Sequence, residues 1–388
     1  MLSPYSAVYR WPGAAAADAA LFLAHYDVVP AETEKWSADP FGAELKDGYI
    51  YGRGALDMKS MLIAVMEAAE NLCAQGWKPK RDIWIALSGH EERTGIQGAM
   101  ETVEWFEKRG QRFAWLIDEG APVADGLIQG IDTPLALVSI EEKGYLSLEL
   151  SVKQAPGHAS RPPKVQAAAV LGRALCRIAK KPFPFRLGET VEMFFRQIAP
   201  FMPGIQGFVM RHARALGPLF FKLAAGSSTV ESLLRTTVAM TQLEGSAADN
   251  VMPSEARAVI NLRLLWPWTV EAAADYVRKA VNDSRVKVSA YGMGTDPVPP
   301  SGDWQNNGWQ EIKSALEEAW PGFPMLPFIM VATTDSRHYR SISGSIFRFN
   351  PHKLDSEELS GIHGHDERIS EENLRSGLVF YTSLMKLL

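Results

Sequence analysis

Three short apolar runs, each ending abruptly in acidic side chains and two of them also in an imidazole, constrain this chain more than any other feature. The first is LFLAHYDVVP, Leu21 to Pro30, where the apolar stretch stops at His25-Tyr26-Asp27. The second is DIWIAL, Asp82 to Leu87, followed by Ser88-Gly89-His90-Glu91-Glu92. The third is AWLI, Ala114 to Ile117, followed by Asp118-Glu119-Gly120. Continuous apolar runs of this length read as strands buried on both faces, as in an α/β sheet. Open α/β sheets place their sites just beyond strand ends. His25 and Asp27 lie two residues apart, so extended backbone points both to one face. A neutral imidazole ligates zinc well, and a nearby carboxylate fixes its surroundings. Taken alone, the first run fits equally a strand end that happens to carry two polar residues.

Between the runs, Ala14 to Ala20 reads as a loop of small residues. Ala31 to Gly54 is polar and rich in turns. Met58, Met61, Leu62, Val65, Ala69 and Leu72 recur at helical spacing, which predicts a helix from Met58 to Gln75 with Gly76 as its stop. A further helix is expected from Thr94 to Lys108. The pattern changes at Lys143. Tyr145–Val152 and Arg257–Leu264 alternate with period two, Arg285–Ser289 looks like another strand, and Val165–Ala179 and Val270–Val281 are helical. These elements describe a small α+β unit inserted into the first domain. The chain then returns through a helix, Trp304–Ala319, an apolar stretch, Phe328–Ala332, and a polar cluster, Thr333–Arg337. A last cluster, Gly361–Glu367, precedes a C-terminal helix.

The 388 residues exceed what one core usually holds, so two domains are expected. The net charge of −5 argues against nucleic acid as a partner. Cys73 and Cys176 are the only cysteines and are far apart, which indicates neither a disulfide framework nor a thiolate metal site. Met1 to Tyr9 has no basic start leading into an apolar run, so no signal peptide is read there. Phe183 to Ala225 is the most membrane-like stretch, but prolines and arginines interrupt it, and it reads as a helical insert. The compartment stays open, with the cytoplasm as default.

The side chains able to bind a hard or borderline cation are His25, Asp27, Asp57, Glu91, Glu92, Asp118, Glu119, His363 and His365. Each sits at a strand end or in a Gly-rich turn. Carboxylates and imidazoles in this number suit two zinc ions sharing one bridging carboxylate. Such a pair would hold a hydroxide and polarise a substrate carbonyl. Glu91-Glu92 is the most telling element. Adjacent carboxylates repel, so one ligating a cation while the other handles a proton accounts for both.

Five segments occur in order: His25-Tyr-Asp27-Val-Val-Pro, Tyr51-Gly-Arg-Gly-Ala-Leu-Asp57-Met-Lys, Gly89-His-Glu91-Glu92, Asp118-Glu119-Gly and Gly361-Ile-His363-Gly-His-Asp-Glu. On these the chain resembles the co-catalytic zinc family of aminoacylase, carboxypeptidase S and glutamate carboxypeptidase. It is most similar to carboxypeptidase S-like hydrolases of N-acyl amino acids. The resemblance implies an α/β zinc-hydrolase catalytic domain, residues 1–142 and 296–388, with a central sheet flanked by helices. It also implies an inserted α+β lid or dimerisation domain, residues 143–295, carrying the Phe-rich insert.

The resemblance assigns roles residue by residue. His25 binds one zinc, Asp27 orients it, and Asp57 bridges both ions, with a cis bond expected between Asp57 and Met58. Glu91 is the general base, Glu92 a ligand of the second zinc, and His363 the last ligand. Asp118 and Glu119 both match the remaining carboxylate; adjacent strand residues point apart, so one of them binds, with Glu119 favoured. His365 is given a surface or supporting role. His158 matches a histidine that stabilises the oxyanion, sometimes from a partner subunit. Asn250, Arg263, Thr334, Asp335 and Arg337 match residues that contact substrate. The planar fork of Arg337 suits a carboxylate. Without the resemblance, His158 reads as a loop histidine and Arg263 as a strand residue in a salt bridge.

The implied activity is zinc-dependent cleavage of an amide bond next to a free-carboxylate amino acid. The substrate is a small peptide or N-acyl amino acid, and a homodimer through the lid is one expectation. A dipeptidase, or a binding protein that kept the fold without catalysis, is the alternative. The Phe-rich insert, Phe183 to Ala225, is a candidate wall for a fatty acyl chain. Carboxypeptidase S-like relatives carry a substantial segment before the His-x-Asp strand, so an incomplete sheet edge is a further expectation.

Overall fold

The computed structural model describes residues 2–93, 95–300 and 302–388. Its main strands and helices are, in chain order, β1 (Ser6–Trp11), β2 (Ala15–His25), α1 (Ser60–Ala74), β3 (Arg81–Ser88), α2 (Glu101–Glu107), β4 (Trp115–Ala124) and β5 (Leu135–Glu142). There follow β6 (Gly144–Lys153), α3 (Ala167–Lys180), α4 (Glu189–Ile198), α5 (Gly204–Arg211), α6 (Gly217–Ala224), α7 (Ser228–Leu234), β7 (Thr237–Glu244) and β8 (Glu255–Leu264). The remainder are α8 (Val270–Val281), β9 (Lys287–Ala290), α9 (Asn307–Ala319), β10 (Met325–Met330), β11 (Ile346–Leu354), α10 (Ser356–Gly361) and α11 (Glu371–Lys386). No helix among the described residues is long and apolar enough to cross a membrane.

Seven strands form the central sheet in the order β1-β3-β2-β4-β11-β5-β10. Its middle is parallel: β2 pairs with β3 and β4, and β4 with β11. Strand parity explains why the apolar runs are continuous. Ala20, Phe22 and Ala24 of β2 enter one core with α1, α9 and α11, while Ala19, Leu21 and Leu23 enter a second core with Trp84, Phe106 and Tyr339. A strand covered on both faces has no solvent side to carry polar residues.

Two expectations change here. Ala14 to Ala20 is not a loop: β2 begins at Ala15, and Ala20 pairs with Ile83. Small residues are admitted because Ala19 and Ala20 lie fully inside, where packing outweighs weak strand propensity. The helix expected from Thr94 to Lys108 is regular only over α2, and Thr94 itself lies outside the described residues. Gly98 breaks it with φ of 145°, and a Cβ there would come 2.4 Å from the Gly89 carbonyl oxygen. The edge strand β1 was not read in the sequence; it pairs antiparallel with β3, and Arg10 bonds Asp82 at 2.8 Å.

A second sheet, β7-β8-β6-β9, is antiparallel throughout. Leu146, Leu148, Leu150 and Val152 project from one face of β6 into a core closed by α3 and α8. The four helices α4–α7 lie between this sheet's strands in sequence, yet they pack elsewhere. Phe194, Phe195, Ile198, Phe220 and Leu233 share a core with Leu135 and Leu137 of β5 and Leu326 and Ile329 of β10. The insert therefore covers the edge of the central sheet.

Phe22 is fully buried and meets Trp115 and Tyr381 edge-on at 5.8 and 6.2 Å. Phe22→Ala is expected to cost about 3–5 kcal/mol of stability. Urea unfolding would measure it, and a loss below about 1 kcal/mol would show that the core closes over the gap.

Candidate metal centre

The three strand-end clusters converge. His25 is 2% exposed at the end of β2, and its Nε2 lies 2.9 Å from Asp57 Oδ1 and 3.7 Å from Glu119 Oε1. Its Nδ1 lies 3.1 Å from the Asp27 carbonyl oxygen and 3.5 Å from the Asp27 carboxylate. That carboxylate also accepts the backbone N–H groups of Glu91 and Glu92, each at 3.2 Å. Asp27 thus ties the end of β2 to the turn after β3 as well as holding the imidazole.

Asp57 sits in a tight turn opened by Gly54 at φ of 81°, and its bond to Met58 is cis. The turn wraps around one buried carboxylate. Glu367 accepts from the backbone N–H groups of Gly54 (2.9 Å), Leu56 (2.8 Å) and Asp57 (3.1 Å). It also pairs with Arg53 Nη1 at 2.7 Å. In the sequence Glu367 is marked only by its place in the Gly361–Glu367 cluster, four residues after His363.

His363 Nε2 lies 3.1 Å from both Asp57 Oδ2 and Glu92 Oε2. Two sets of donor atoms result, His25-Asp57-Glu119 and Asp57-Glu92-His363, each with its atoms within 4.8 Å of one another. Asp57 belongs to both, one oxygen facing each. The second oxygen of Glu92 is buried and has no hydrogen-bond partner among the described residues. An orphaned carboxylate oxygen beside two imidazoles and two further carboxylates fits a borderline cation such as zinc.

The electrostatics agree. Burial raises Glu119 well above the usual carboxylate range, and the negative charge of Asp57 adds to it. Burial likewise raises Glu91, helped by the charges of Glu119 and Asp335. For Asp57 burial works in the same direction, but hydrogen bonds from His25 and His363 overcome it and hold its carboxyl low. Hydrogen bonds to Asp57 and Glu92 push His363 up to about 10. So much negative charge in so little water calls for positive charge nearby.

Glu91 stands beside the two sets, 3.9 Å from Arg337 Nη1. Asp118 is not in either set. Its oxygens accept from the backbone N–H groups of Glu119 at 2.9 Å and Ser336 at 2.8 Å, which anchors the loop after β10. Thr334 is fully buried, and both its N–H and its hydroxyl bond Glu142, at 3.1 and 3.3 Å. Glu142 in turn lies 2.5 Å from Arg348 Nε, a pair with no more than 1% exposure. Thr334 therefore holds the loop from beneath, and its carbonyl accepts from Arg337 Nη1 at 2.6 Å. Asp335 accepts from Ser88 Oγ at 2.7 Å, and burial pushes its carboxyl up to about 6. His365 is exposed and outside both sets. The buried Glu142–Arg348 pair was not read in the sequence, although Glu141-Glu142 ends an apolar strand much as Glu91-Glu92 follows one.

A cavity of about 1200 Å³ opens over the centre and reaches Asp57, Glu91, Glu92, Glu119 and His363. Its far wall is apolar and comes from α4–α7, through Phe194, Phe195, Val209, Phe220 and Leu233. Arg263 lines it too, with its guanidinium 5.0 Å from the centre of the Tyr145 ring. His158 and Asn250 do not line it. They sit together on a small exposed ribbon, Gly157–His158 against Val251–Met252, where the Asn250 carbonyl accepts from Ala159 N–H at 2.9 Å.

Comparison with known proteins gives a consistent picture. The model of peptidase family M20/M25/M40 matches residues 21–387. An N-fatty-acyl-amino acid synthase/hydrolase of Xenopus tropicalis is 36% identical over 94% of this chain and 72% of its own. A probable carboxypeptidase S-like protein of Dictyostelium discoideum is 33% identical over 100% of this chain and 75% of its own. Among solved structures, a metallo-carboxypeptidase of Sulfolobus solfataricus superposes with a TM-score of 0.75 at 17% identity, over 98% of this chain and 87% of its own.

Because Glu367 gathers the amides that shape the Asp57 turn, Glu367→Ala is expected to weaken zinc affinity about 10–100-fold. Competition against a chromophoric chelator measures this. Unchanged affinity would show that the turn holds without it.

Proposed function

The chain belongs to peptidase family M20/M25/M40, and from that premise we propose that it is a two-zinc amidohydrolase of N-fatty-acyl amino acids. It is a metal-dependent hydrolase with the family's α/β fold. The finer reading rests on one observation: the apolar cavity that begins at the acidic centre. Its volume exceeds the roughly 300–1,000 Å³ typical of small-molecule sites. A dipeptide has little use for so much apolar wall, whereas a long acyl chain buries against it favourably. The curated relative from Xenopus tropicalis carries the corresponding name.

In this reading His25, Asp57 and Glu119 would hold one zinc, and Asp57, Glu92 and His363 the other. When bound, the metals would supply Lewis acidity and lower the pKa of a nearby water. Asp27 keeps the imidazole of His25 oriented and the Glu91-Glu92 turn in place. Glu91 takes the proton from the attacking water and passes it to the nitrogen of the leaving amino acid. Arg263 offers a guanidinium to the substrate carboxylate, with Arg337 beside Glu91 as the second such group. Asp118 and Thr334 act from below by fixing the loop that carries Arg337.

His158 and Asn250 fit a role across a homodimer, as the exposed ribbon that reaches a neighbouring subunit's centre to stabilise the oxyanion. The outer strand β7 supports such a dimer. It is an open edge whose Met240 and Leu243 are 48% and 72% exposed, and edges of this kind tend to be covered by another chain. The proposed division is a catalytic domain of residues 1–142 and 296–388 and a lid of 143–295. The α4–α7 insert belongs to the lid in sequence and serves the catalytic cavity.

Two measurements test this reading. Glu91→Gln keeps the shape but removes the base, and is expected to lower kcat about 10²–10⁴-fold with zinc content unchanged. Activity near wild type would sink the role given to Glu91. Val209→Trp fills the apolar end of the cavity. It is expected to reduce kcat/KM for an N-oleoyl amino acid at least about tenfold while sparing the N-acetyl analogue. Equal effects on both, or a preference for dipeptides in parallel assays, would overturn the acyl-chain reading.

A further inference from the structure

The wall of the cavity has an outer side. Helix α5 turns Gln206, Val209 and Met210 toward the cavity. On another face, at spacings of three and four residues, stand Ile205, Phe208 and His212. Ile205 is 79% exposed and Phe208 57%, and the next helix adds Leu219 at 50%. The Phe208 and His212 rings pack together with centroids 4.4 Å apart, which holds the phenyl group in place. A monomeric soluble surface usually scatters such residues; here they crowd one short segment.

The charge of the same segment is one-sided. Residues 193–230 contain Arg196, Arg211, Arg214 and Lys222 and no Asp or Glu, in a chain whose net charge is −5. Arg214 is partly committed, donating to Glu192 at 2.6 Å. Arg196, Arg211 and Lys222 are exposed. Large apolar side chains beside exposed cations, on a helix that shows no membrane span, describe an element that lies in a lipid interface.

We propose that the outer side of α5 and the start of α6 is a docking surface for an anionic lipid bilayer. It presents the acyl cavity to substrates dissolved in that bilayer. Ile205, Phe208 and Leu219 enter the headgroup–acyl boundary, and the exposed cations meet anionic headgroups. The wall between bilayer and cavity is then one helix thick, on the order of 10 Å. The inference rests on the reading of the substrate as an N-fatty-acyl amino acid, an amphiphile that partitions into membranes. Lipid binding itself needs no substrate, so the two readings fail separately.

The test uses the zinc-loaded full chain with vesicles of phosphatidylcholine alone and of phosphatidylcholine with phosphatidylglycerol. Co-sedimentation is expected with the anionic vesicles and to weaken as salt rises. Ile205→Asp with Phe208→Asp is expected to lower partitioning at least about tenfold. Arg211→Glu with Lys222→Glu is expected to lower it for anionic vesicles only. None of these four side chains lines the cavity, so turnover of a soluble N-acetyl amino acid should match wild type in both variants, which also certifies folding. Turnover of an N-oleoyl amino acid embedded in vesicles should fall with binding, and turnover of the same substrate in detergent should not. Absence of wild-type binding, or binding unchanged in both variants, overturns the proposal. So does a dimer in solution that the Ile205/Phe208 variant abolishes, because the occupant would then be a second copy. Loss of long-chain turnover preference in detergent would instead refute the substrate reading.

Discussion

Four carboxylates, Asp57, Glu91, Glu92 and Glu119, meet on one side of the cavity beside the parallel strands. Their mutual repulsion is the constraint around which the structure is arranged. Two imidazoles, His25 and His363, are interleaved so that each touches Asp57 from its own side. Backbone amides take up further charge: Asp27 receives those of Glu91 and Glu92, and Glu367 those of the Asp57 turn. These amides engage Asp27 and Glu367, whereas one oxygen of Glu92 is left buried without a hydrogen-bond partner among the described residues.

Support for the centre runs deep into the sheet. The buried Arg348–Glu142 pair holds Thr334, and Thr334 holds Arg337 next to Glu91. Asp118 secures the same loop through Ser336. These contacts lie in low dielectric, where a satisfied polar network is rigid and a broken one is costly. The loop that carries Arg337 is thereby placed by groups that lie beneath it.

The Phe-rich insert joins this machinery from outside. It packs on β5 and β10, so its apolar helices become one wall of the cavity above the centre. A helix pair that faces a cavity on one side and solvent on the other has no second protein layer to hide its outer side chains. Ile205 and Phe208 are left exposed as a result.

The sequence by itself determined the strand ends, because continuous apolar runs have no solvent face and stop where polar groups must begin. Strand ends pointed to His25, Glu91 and Glu92, Gly-rich turns to Asp57 and His363, and the resemblance of five ordered motifs implied a chemistry for them. Tertiary structure decided between neighbours that sequence treats alike. Asp118 shares the face of Leu116, where the turn carrying Ser336 packs, so its oxygens are taken by amides, while Glu119 turns toward His25 and Asp57. It also made a strand of Ala15–Ala20, gave Glu367 and Glu142 their partners more than 190 residues away, and set the insert against the central sheet. Each of these depends on long-range pairing and burial, which fix what a side chain touches and which local pattern does not encode.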